Sequence, residues 1–269
     1  MHLEYSLPIS KRQIKLVPDE PDDWFFGLNS PDADDGVTLV VEGFERGHVF
    51  VGYQSRLKYE WAQRIAIVID ASAPMGDPVK VLHIGAGALS LARHVSLTRP
   101  GSEQFVVDDD VELLEFVSAR WPPPEEVVHL GRDLMRDLDA IGSRAPFDFV
   151  VMDGSSNPFV VSTLLSKGPQ QALDTLMDIA PLLGGTGKLV ITPPCDHPEP
   201  NILTLVEATT AAGLRTWVLK PTPDDDGCPG QNTIIVAVSG SSRGSEDWPV
   251  RAFAETPLPT RVEFHPGIL

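Results

Sequence analysis

From Val79 onward the chain alternates short apolar runs with longer segments of mixed polarity. The runs are rich in valine and isoleucine, which favour strands, and most of the segments between them carry the apolar spacing of helices. The predicted strands are Val79–Ile84, Gln104–Asp108, Glu126–Leu130, Phe147–Met152, Lys188–Thr192, Thr216–Lys220 and Thr233–Ser239. The predicted helices are Ser90–Leu97, Val111–Arg120, Arg132–Ile141, Pro169–Leu183 and Ile202–Ala212. Strands that alternate with helices predict a parallel sheet covered by helices on both faces.

The segment before Val79 has a different pattern. Val37–Glu42 and Val49–Tyr53 are β-rich runs that flank the connector Gly43–His48, which predicts a hairpin. Arg56–Asp70 carries an apolar stripe and predicts an amphipathic helix. The residues before the hairpin include many prolines and aspartates, and they predict irregular structure or short strands.

These elements divide the chain into three parts. Residues 1–78 are predicted to form an N-terminal β-hairpin and helix region, residues 79–240 a Rossmann-like nucleoside-binding domain, and residues 241–269 an irregular C-terminal tail. No helix is predicted between the last two strands, so we expect them to pair antiparallel. The predicted fold class is α/β: a Rossmann-like sheet of seven strands with helices on both faces, preceded by the β-hairpin region.

Net charge, apolar run lengths and cysteine spacing indicate which kinds of ligand, partner and location to expect. The formal net charge of −17 repels phosphate backbones, so we expect no nucleic-acid partner and a cationic small molecule as the favoured ligand, with plain solubility as the alternative explanation. No apolar run is long enough for a membrane span and no secretory signal is evident, which predicts a cytoplasmic protein without membrane contact. Cys195 and Cys228 have no metal-ligand spacing, so no metal is expected.

A glycine-rich turn follows the first strand of the predicted sheet, within Val79–Ser90. Gly85 and Gly87 lie in this turn, where glycine allows positive φ and lets a ligand approach the backbone. A dinucleotide site of the G-x-G-x-x-G type has a third glycine where this chain has Ser90. The turn therefore favours an adenosine-bearing ligand over a dinucleotide, with chance or packing as the alternative.

Acidic residues follow the next two strands. Asp108 ends the second strand about 20 residues beyond the glycines, where a carboxylate that accepts bonds from ribose hydroxyls is expected. The alternative is a solvated helix start, in which Asp109 or Asp110 caps the helix that begins at Val111. Asp133, after the third strand, is positioned either to receive an adenine amino group or to cap a helix.

Five segments follow one another along the chain: Gly52-Tyr53-Gln54, Leu57-Lys58-Tyr59-Glu60, Val81–Gly87, Asp148–Pro158, and Pro221-Thr222-Pro223 with Gly230. No single segment is highly specific for a family, but their order along the chain is. They resemble the motifs Asp-Gly-x-x-Gln, Phe-x-Tyr-x-Glu, Val-Leu-x-Ile-Gly-Gly-Gly, Asp-x-Ile-x-x-Asp-Ser-Ser-Asp-Pro and Pro-Thr-Tyr-Pro-x-Gly of the spermidine synthase family, the polyamine aminopropyltransferases. Asp108 takes the place of the glutamate in the family's Val-Glu-Ile-Asp segment. The resemblance spans about Val49 to Ser239.

The resemblance implies the class I methyltransferase type of fold. It implies transfer of an aminopropyl group, in polyamine biosynthesis, from decarboxylated S-adenosylmethionine to putrescine or another polyamine. Because the attacking amine must be neutral, Asp153 is the candidate proton acceptor, and Tyr59 is the second candidate catalytic residue because it lines the family's active site. The residues implied to bind the nucleoside co-substrate are Gln54, Gly85, Gly87, Asp108 and Asp133. The family's habit of pairing through N-terminal strands implies a homodimer.

Three positions depart from the family pattern. Ala88 replaces an aspartate after the glycines, Asn157 stands near the position of a second aspartate, and the Pro223–Asp226 loop lacks a tyrosine. Asparagine is neutral and does not balance an ammonium charge as an aspartate does. Two alternatives therefore stand beside aminopropyl transfer: a methyltransferase that uses S-adenosylmethionine itself, and a non-catalytic nucleoside-binding protein on the same fold.

Overall fold

In the part of the chain that the structure describes, the strands form two sheets, one of four strands and one of eight. The computed structural model describes residues 3–19, 35–157, 161, 164–165, 168–193, 199–222, 233–239, 248–254, 256 and 258–265. Within these residues, no helix has both the length and the apolar character needed to cross a bilayer. The cytoplasmic location and the homodimer remain predictions.

The N-terminal sheet is antiparallel throughout and follows the order of the chain. Its strands are β1 (Leu3–Ser6), β2 (Gln13–Pro18), β3 (Gly36–Val41) and β4 (Phe44–Phe50). The hairpin was predicted correctly, but its connector was not, because β4 begins at Phe44 rather than at Val49. The turn is Glu42-Gly43, with φ of 51° and 85°, as the tight turns between antiparallel strands require.

The large sheet has the order β12-β10-β11-β9-β8-β5-β6-β7. Its strands are β5 (Lys80–Ile84), β6 (Glu103–Val107), β7 (Val127–Gly131), β8 (Phe147–Asp153), β9 (Leu183–Thr192), β10 (Leu214–Pro221), β11 (Ile234–Ser239) and β12 (Thr260–His265). Strands β5 to β9 are parallel, and β11 pairs antiparallel with both β9 and β10. This is the predicted Rossmann-like sheet with an antiparallel end.

Among the described residues, the helices that connect or precede these strands include α1 (Glu60–Asp70), α2 (Ser90–Thr98), α3 (Val111–Arg120), α4 (Leu138–Gly142), α5 (Pro169–Ile179) and α6 (Glu199–Ala211). The prediction of a helix over Arg132–Ile141 is wrong in its first half. The Asp137 carboxylate accepts hydrogen bonds from the backbone N–H groups of Arg132, at 2.8 Å, and Asp133, at 3.0 Å. These bonds hold the backbone in a turn, a known competitor of helix formation for aspartate.

The C-terminal tail is not irregular as predicted. It contains helix α7 (Trp248–Ala254) and strand β12, which pairs antiparallel with β10 and gives the sheet its eighth strand. The buried Arg64 of α1 holds the start of β12 by donating to the Thr260 hydroxyl and the Pro259 carbonyl, each at 3.2 Å. Arg64 and these partners lie almost 200 residues apart in sequence, so no local sequence pattern predicts the strand.

Three apolar clusters build the core. Along β5, Leu82 and Ile84 face one cluster and Val81 faces the other, as alternation in a strand that is buried on both faces requires. The third cluster joins the N-terminal sheet to the helices that follow the glycine turn, with Leu39 packed together with Ala88 and Leu89. The N-terminal sheet therefore lies directly against the carboxyl edge of β5, where a ligand is expected.

Candidate functional site

The glycine turn lies between β5 and α2. Gly85 and Gly87 have φ of 77° and 48°, in the left-handed region that disfavours other residues. The backbone N–H of Gly85 donates to the Val107 carbonyl at 2.9 Å, which ties the turn to the end of β6. The two glycines predicted from the sequence therefore lie at the carboxyl edge of the parallel strands, beside Asp108.

Asp108 follows β6 and is 4% exposed. Its Oδ2 accepts a hydrogen bond from the backbone N–H of Ala86 and its Oδ1 accepts one from that of Asp110, both at 2.9 Å. Burial raises the pKa of Asp108, and these two backbone donors oppose the rise. A carboxylate offers about four lone-pair positions, so Oδ2 retains one for a ligand hydroxyl. Asp108 thus has a structural role in addition to its predicted binding role.

A cavity of about 370 Å³ opens beside Asp108 at this edge of the sheet. Its apolar walls come from strand ends and from the segment after β7, and its polar rim holds both carboxylates and guanidinium groups. The lining residues are Ile84, Val107, Asp108, Asp109, Arg132, Asp133, Leu134, Met135, Arg136, Met152, Asn157, Leu164, Gln171 and Thr175. The volume lies within the range of small-molecule sites.

Asp133 lines this cavity and also stabilises a turn. Its Oδ1 accepts hydrogen bonds from the backbone N–H groups of Met135 and Arg136, each at 3.0 Å. The capping alternative for Asp133 is therefore realised locally, although the turn precedes α4 instead of opening a long helix. Asp110 is likewise a helix cap, since its side chain accepts from the Leu113 N–H at the start of α3.

Strand β4 packs on the glycine turn. A Cβ atom on Gly47 would lie 2.6 Å from the Cβ of Ala88, and one on Gly87 would overlap the Arg46 carbonyl oxygen. The Ser90 hydroxyl donates to the His48 carbonyl at 2.5 Å. The absence of a side chain at Gly87 therefore lets the backbone of β4, rather than a ligand, approach the turn, and β4 covers this part of it.

Arg46 of β4 reaches from this contact into the carboxyl edge of the large sheet. Its Nη1 donates to the Ser156 carbonyl at 3.0 Å and to Oδ1 of Asn157 at 3.5 Å, and the residue is 6% exposed. Burial lowers the pKa of Arg46, and the carboxylates of Asp108–Asp110 oppose that shift. Sequence reasoning missed Arg46 because its partners are 110 residues away and no motif marks it.

A second cavity, of about 30 Å³, lies on the other side of the glycine turn. Gly85, Tyr59, Asp153 and Ser156 are among its lining residues. This volume holds about one water molecule, so a four-carbon diamine does not fit. The Tyr59 hydroxyl donates to Glu45 at 2.8 Å, and burial raises its pKa, so the phenol stays neutral at pH 7.

Asp153, the candidate proton acceptor, is heavily hydrogen-bonded. Its Oδ1 accepts from the backbone N–H groups of Ser155 and Ser156, at 3.1 and 3.0 Å, and from the Thr192 hydroxyl at 2.9 Å. Its Oδ2 accepts from the Ser156 hydroxyl at 2.6 Å. Hydrogen bonds within and beside the turn that follows β8 thus occupy most of the acceptor positions of the carboxylate, and the remaining position is on Oδ2.

Five of the seven predicted site residues line one of the two cavities. Asp108 and Asp133 line the large cavity, whereas Gly85, Tyr59 and Asp153 line the small one. Gln54 lies half-buried in the loop after β4, and Gly87 packs against Arg46 and Ser156; neither residue lines these cavities.

Sequence reasoning did not place Asp109 at the cavity. This exposed residue lines the large cavity and accepts from the Asn157 amide at 3.1 Å. A run of three aspartates gives no indication of which carboxylate faces a ligand. Among the described residues no group of three metal-ligating side chains is present, and Cys195, Cys228 and the Pro223–Asp226 loop lie outside those residues.

Comparison with known proteins supports the fold. No protein-family model and no curated protein matches the sequence. A probable spermidine synthase from Corynebacterium glutamicum ATCC 13032 superposes with a TM-score of 0.66 at 18% identity, over 97% of this chain and 90% of that one. Spermidine synthase from Thermotoga maritima gives 0.55 at 16% identity, over 93% and 74%. A spermidine synthase in complex with the transition-state analogue AdoDATO gives 0.53 at 16%, also over 93% and 74%.

At such low identity these similarities establish the fold and leave the chemistry to the residues of the site. The chain therefore has a fold similar to that of these spermidine synthases, of the class I methyltransferase type, at low sequence identity.

Proposed function

We propose that this chain binds the adenosine half of an S-adenosylmethionine-class ligand in the large cavity. The observation that carries the proposal is the juxtaposition of a cavity of about 370 Å³ with Asp108 at the end of β6. In an open α/β sheet this edge is where nucleoside ligands bind, and an acidic residue at the end of the second strand is suited to the ribose.

The lining of the cavity supports an aromatic base with polar edges. Met152 and Leu164 offer apolar surface to a ring, while Asp109 and Asp133 at the rim are acceptors for ribose hydroxyls or an adenine amino group. The Asp108 Oδ2 provides one further acceptor. The ribose is thus expected to contact two neighbouring carboxylates rather than a single bidentate one.

Isothermal titration calorimetry with adenosine and 5′-methylthioadenosine tests this proposal directly. Leu134→Trp fills part of the cavity and is expected to weaken binding by tenfold or more, about 1.4 kcal/mol. The matched control is Leu97→Trp, the same substitution at an exposed position of α2. The absence of measurable binding at millimolar ligand, or equal affinities for the two variants, would refute the assignment.

Aminopropyl transfer is the second candidate. It is supported by Tyr59 and Asp153, which line the small cavity together at the glycine turn. In this reaction a neutral amine nitrogen of a di- or polyamine attacks the propyl carbon bonded to the sulfonium. The carbon–sulfur bond breaks to leave a thioether, and the nitrogen loses a proton to a base such as Asp153. The small cavity has to widen before an amine is admitted.

A transfer assay separates the candidates. The protein is incubated with decarboxylated S-adenosylmethionine and putrescine, and 5′-methylthioadenosine release is measured against an Asp153→Asn variant. Release that Asp153→Asn abolishes supports transfer. Nucleoside binding without release supports the binding function alone, and methylation of an acceptor by S-adenosylmethionine would assign a methyltransferase instead.

A further inference from the structure

His83 lies on β5 and lines the small cavity, although it is only 4% exposed. It pairs with Val151 of β8 in the parallel register of the sheet. Residues two apart in a strand face the same side, so Asp153 lies on the same face as His83, about 6.6 Å beyond Val151 along β8. The imidazole and the Asp153 carboxylate therefore line one enclosed volume.

The side-chain amide of Gln104 determines which ring nitrogen of His83 carries the proton. The amide Nε2 of Gln104 donates to the Ala92 carbonyl at 3.0 Å and to the Ser96 hydroxyl at 2.8 Å. The amide oxygen therefore points at Nε2 of His83, 3.0 Å away, and because this oxygen only accepts, Nε2 carries the proton. Burial lowers the pKa of His83 to about 4, so the ring is neutral at pH 7.

The other ring nitrogen, Nδ1, keeps its lone pair. In the part of the chain that the structure describes, Nδ1 of His83 has no hydrogen-bond partner. Since Nε2 is directed to Gln104 on β6, Nδ1 is the ring nitrogen left for the small cavity. A neutral imidazole with this tautomer offers an occupant of the cavity one acceptor and no donor at Nδ1.

The remaining polar side chains of the small cavity also favour an occupant that donates hydrogen bonds. The hydroxyl groups that line it all donate to other protein atoms: Tyr59 to Glu45, Ser90 to the His48 carbonyl, and Ser156 to Asp153. Asp153 adds a negative charge and one remaining acceptor position on Oδ2. An enclosed group therefore has to bring its own protons, as an amine or an ammonium does.

We propose that His83 contacts the substrate of the transfer reaction, with Nδ1 of His83 and Oδ2 of Asp153 accepting the two N–H bonds of one neutral primary amine. The proposal rests on aminopropyl transfer as the function of the chain. With both N–H groups held, the nitrogen lone pair is left to attack the propyl carbon. The nitrogen–carbon bond forms as the carbon–sulfur bond breaks, and the nitrogen then loses a proton to Asp153, while His83 stays neutral.

The same pair of acceptors distinguishes substrate classes. An alcohol has one O–H donor, so it leaves either His83 or Asp153 without a partner, which is costly in an enclosed site. The volume of about 30 Å³ matches the amine nitrogen alone, and the carbon chain of the amine needs the wider form of the cavity. A primary amine is therefore favoured over a hydroxyl group as the acceptor of the transferred group.

Two substitutions of His83 separate the roles of its ring nitrogens. A glutamine amide reaches the position of Nε2 and keeps the bond to Gln104, but it places no acceptor at the position of Nδ1. An asparagine is shorter, so its amide oxygen lies near the position of Nδ1 and the bond to Gln104 is lost. In the putrescine transfer assay we expect His83→Gln to lower kcat/KM for putrescine by tenfold or more, and His83→Asn to lower it by less than about threefold.

A purely structural role of His83 gives the reverse order of activities, because only the glutamine variant keeps the buried bond to Gln104. That reverse order, or equal activities of the two variants, would overturn the proposal. The affinity for 5′-methylthioadenosine is expected to stay within about twofold of the wild type in both variants, since His83 does not line the large cavity.

Nuclear magnetic resonance tests the contact without turnover. Wild-type protein with ¹⁵N-labelled histidine is titrated with propylamine, alone and with 5′-methylthioadenosine, and the His83 signals are assigned by their absence from His83→Gln. We expect the Nδ1 resonance to move upfield as it accepts a hydrogen bond, while Nε2 keeps its proton. An unmoved Nδ1 resonance in both titrations overturns the proposal, even if His83→Asn does not fold.

These measurements separate the failure of each claim. If 5′-methylthioadenosine does not bind, the proposed nucleoside site is refuted. If Nδ1 responds to propylamine but no transfer occurs, the amine contact is supported and aminopropyl transfer is refuted. If transfer occurs and His83→Gln is as active as the wild type, the role of His83 alone is refuted.

Discussion

Replacement of Asp108 by asparagine tests whether this residue holds the site together before any ligand binds. The carboxylate accepts from the N–H groups of Ala86 and Asp110 with different oxygens. An asparagine amide has one oxygen and one NH₂ group, so one buried backbone N–H loses its acceptor and faces another donor. An unsatisfied buried donor costs about 1–3 kcal/mol, and loss of the charge-assisted bond adds about 1 kcal/mol. We therefore expect a loss of about 2–4 kcal/mol in the free energy of unfolding.

Urea denaturation at pH 7 measures this loss, with Asp109→Asn as the control. Both variants remove one negative charge from adjacent positions, but Asp109 is exposed and accepts a hydrogen bond from the Asn157 side-chain amide. The control is expected to lose less than about 0.5 kcal/mol. Equal losses for Asp108→Asn and Asp109→Asn would show that Asp108 does not anchor the glycine turn to β6.

Three further predictions concern packing and pH. Gly47→Ala places a Cβ 2.6 Å from that of Ala88, so urea denaturation is expected to show a loss of about 2–4 kcal/mol, and a wild-type curve would contradict the contact. Burial lowers the pKa of His83 to about 4, so the unfolded chain binds more protons. The contribution of neutral His83 to the free energy of unfolding is therefore fully present above pH ~6.5 and is about 2 kcal/mol smaller at pH 5. The His83→Gln variant should show a weaker dependence of this free energy on pH. Arg64→Leu should cost about 3 kcal/mol and speed proteolysis within β12, whereas unchanged proteolysis would mean that Arg64 does not anchor it.

The large sheet was predictable because its signal is local. Strands β5, β6 and β8 to β11 each contain a short apolar run whose residues are buried, so a local pattern identifies them. The edge strand β7 is only half-buried, but it also contains an apolar pair, Val127-Val128. The edge strand β12 was missed, since it is only half-buried and exists through its pairing with β10. Helix α4 was predicted too long because Asp137 bonds to the backbone ahead of it, a competition that residue type alone does not decide.

The sequence by itself determined the order of strands β5 to β11, the glycine turn and the aspartate that follows the second strand of the large sheet, because these depend on periodicity and on neighbours in the chain. Tertiary structure alone decided what those residues contact. The approach of β4 to Gly87, the reach of Arg46 to Ser156, and the bond from Thr192 to Asp153 all join distant segments. Such contacts depend on how two sheets pack in space, and packing is set by the sum of many apolar contacts rather than by any one motif.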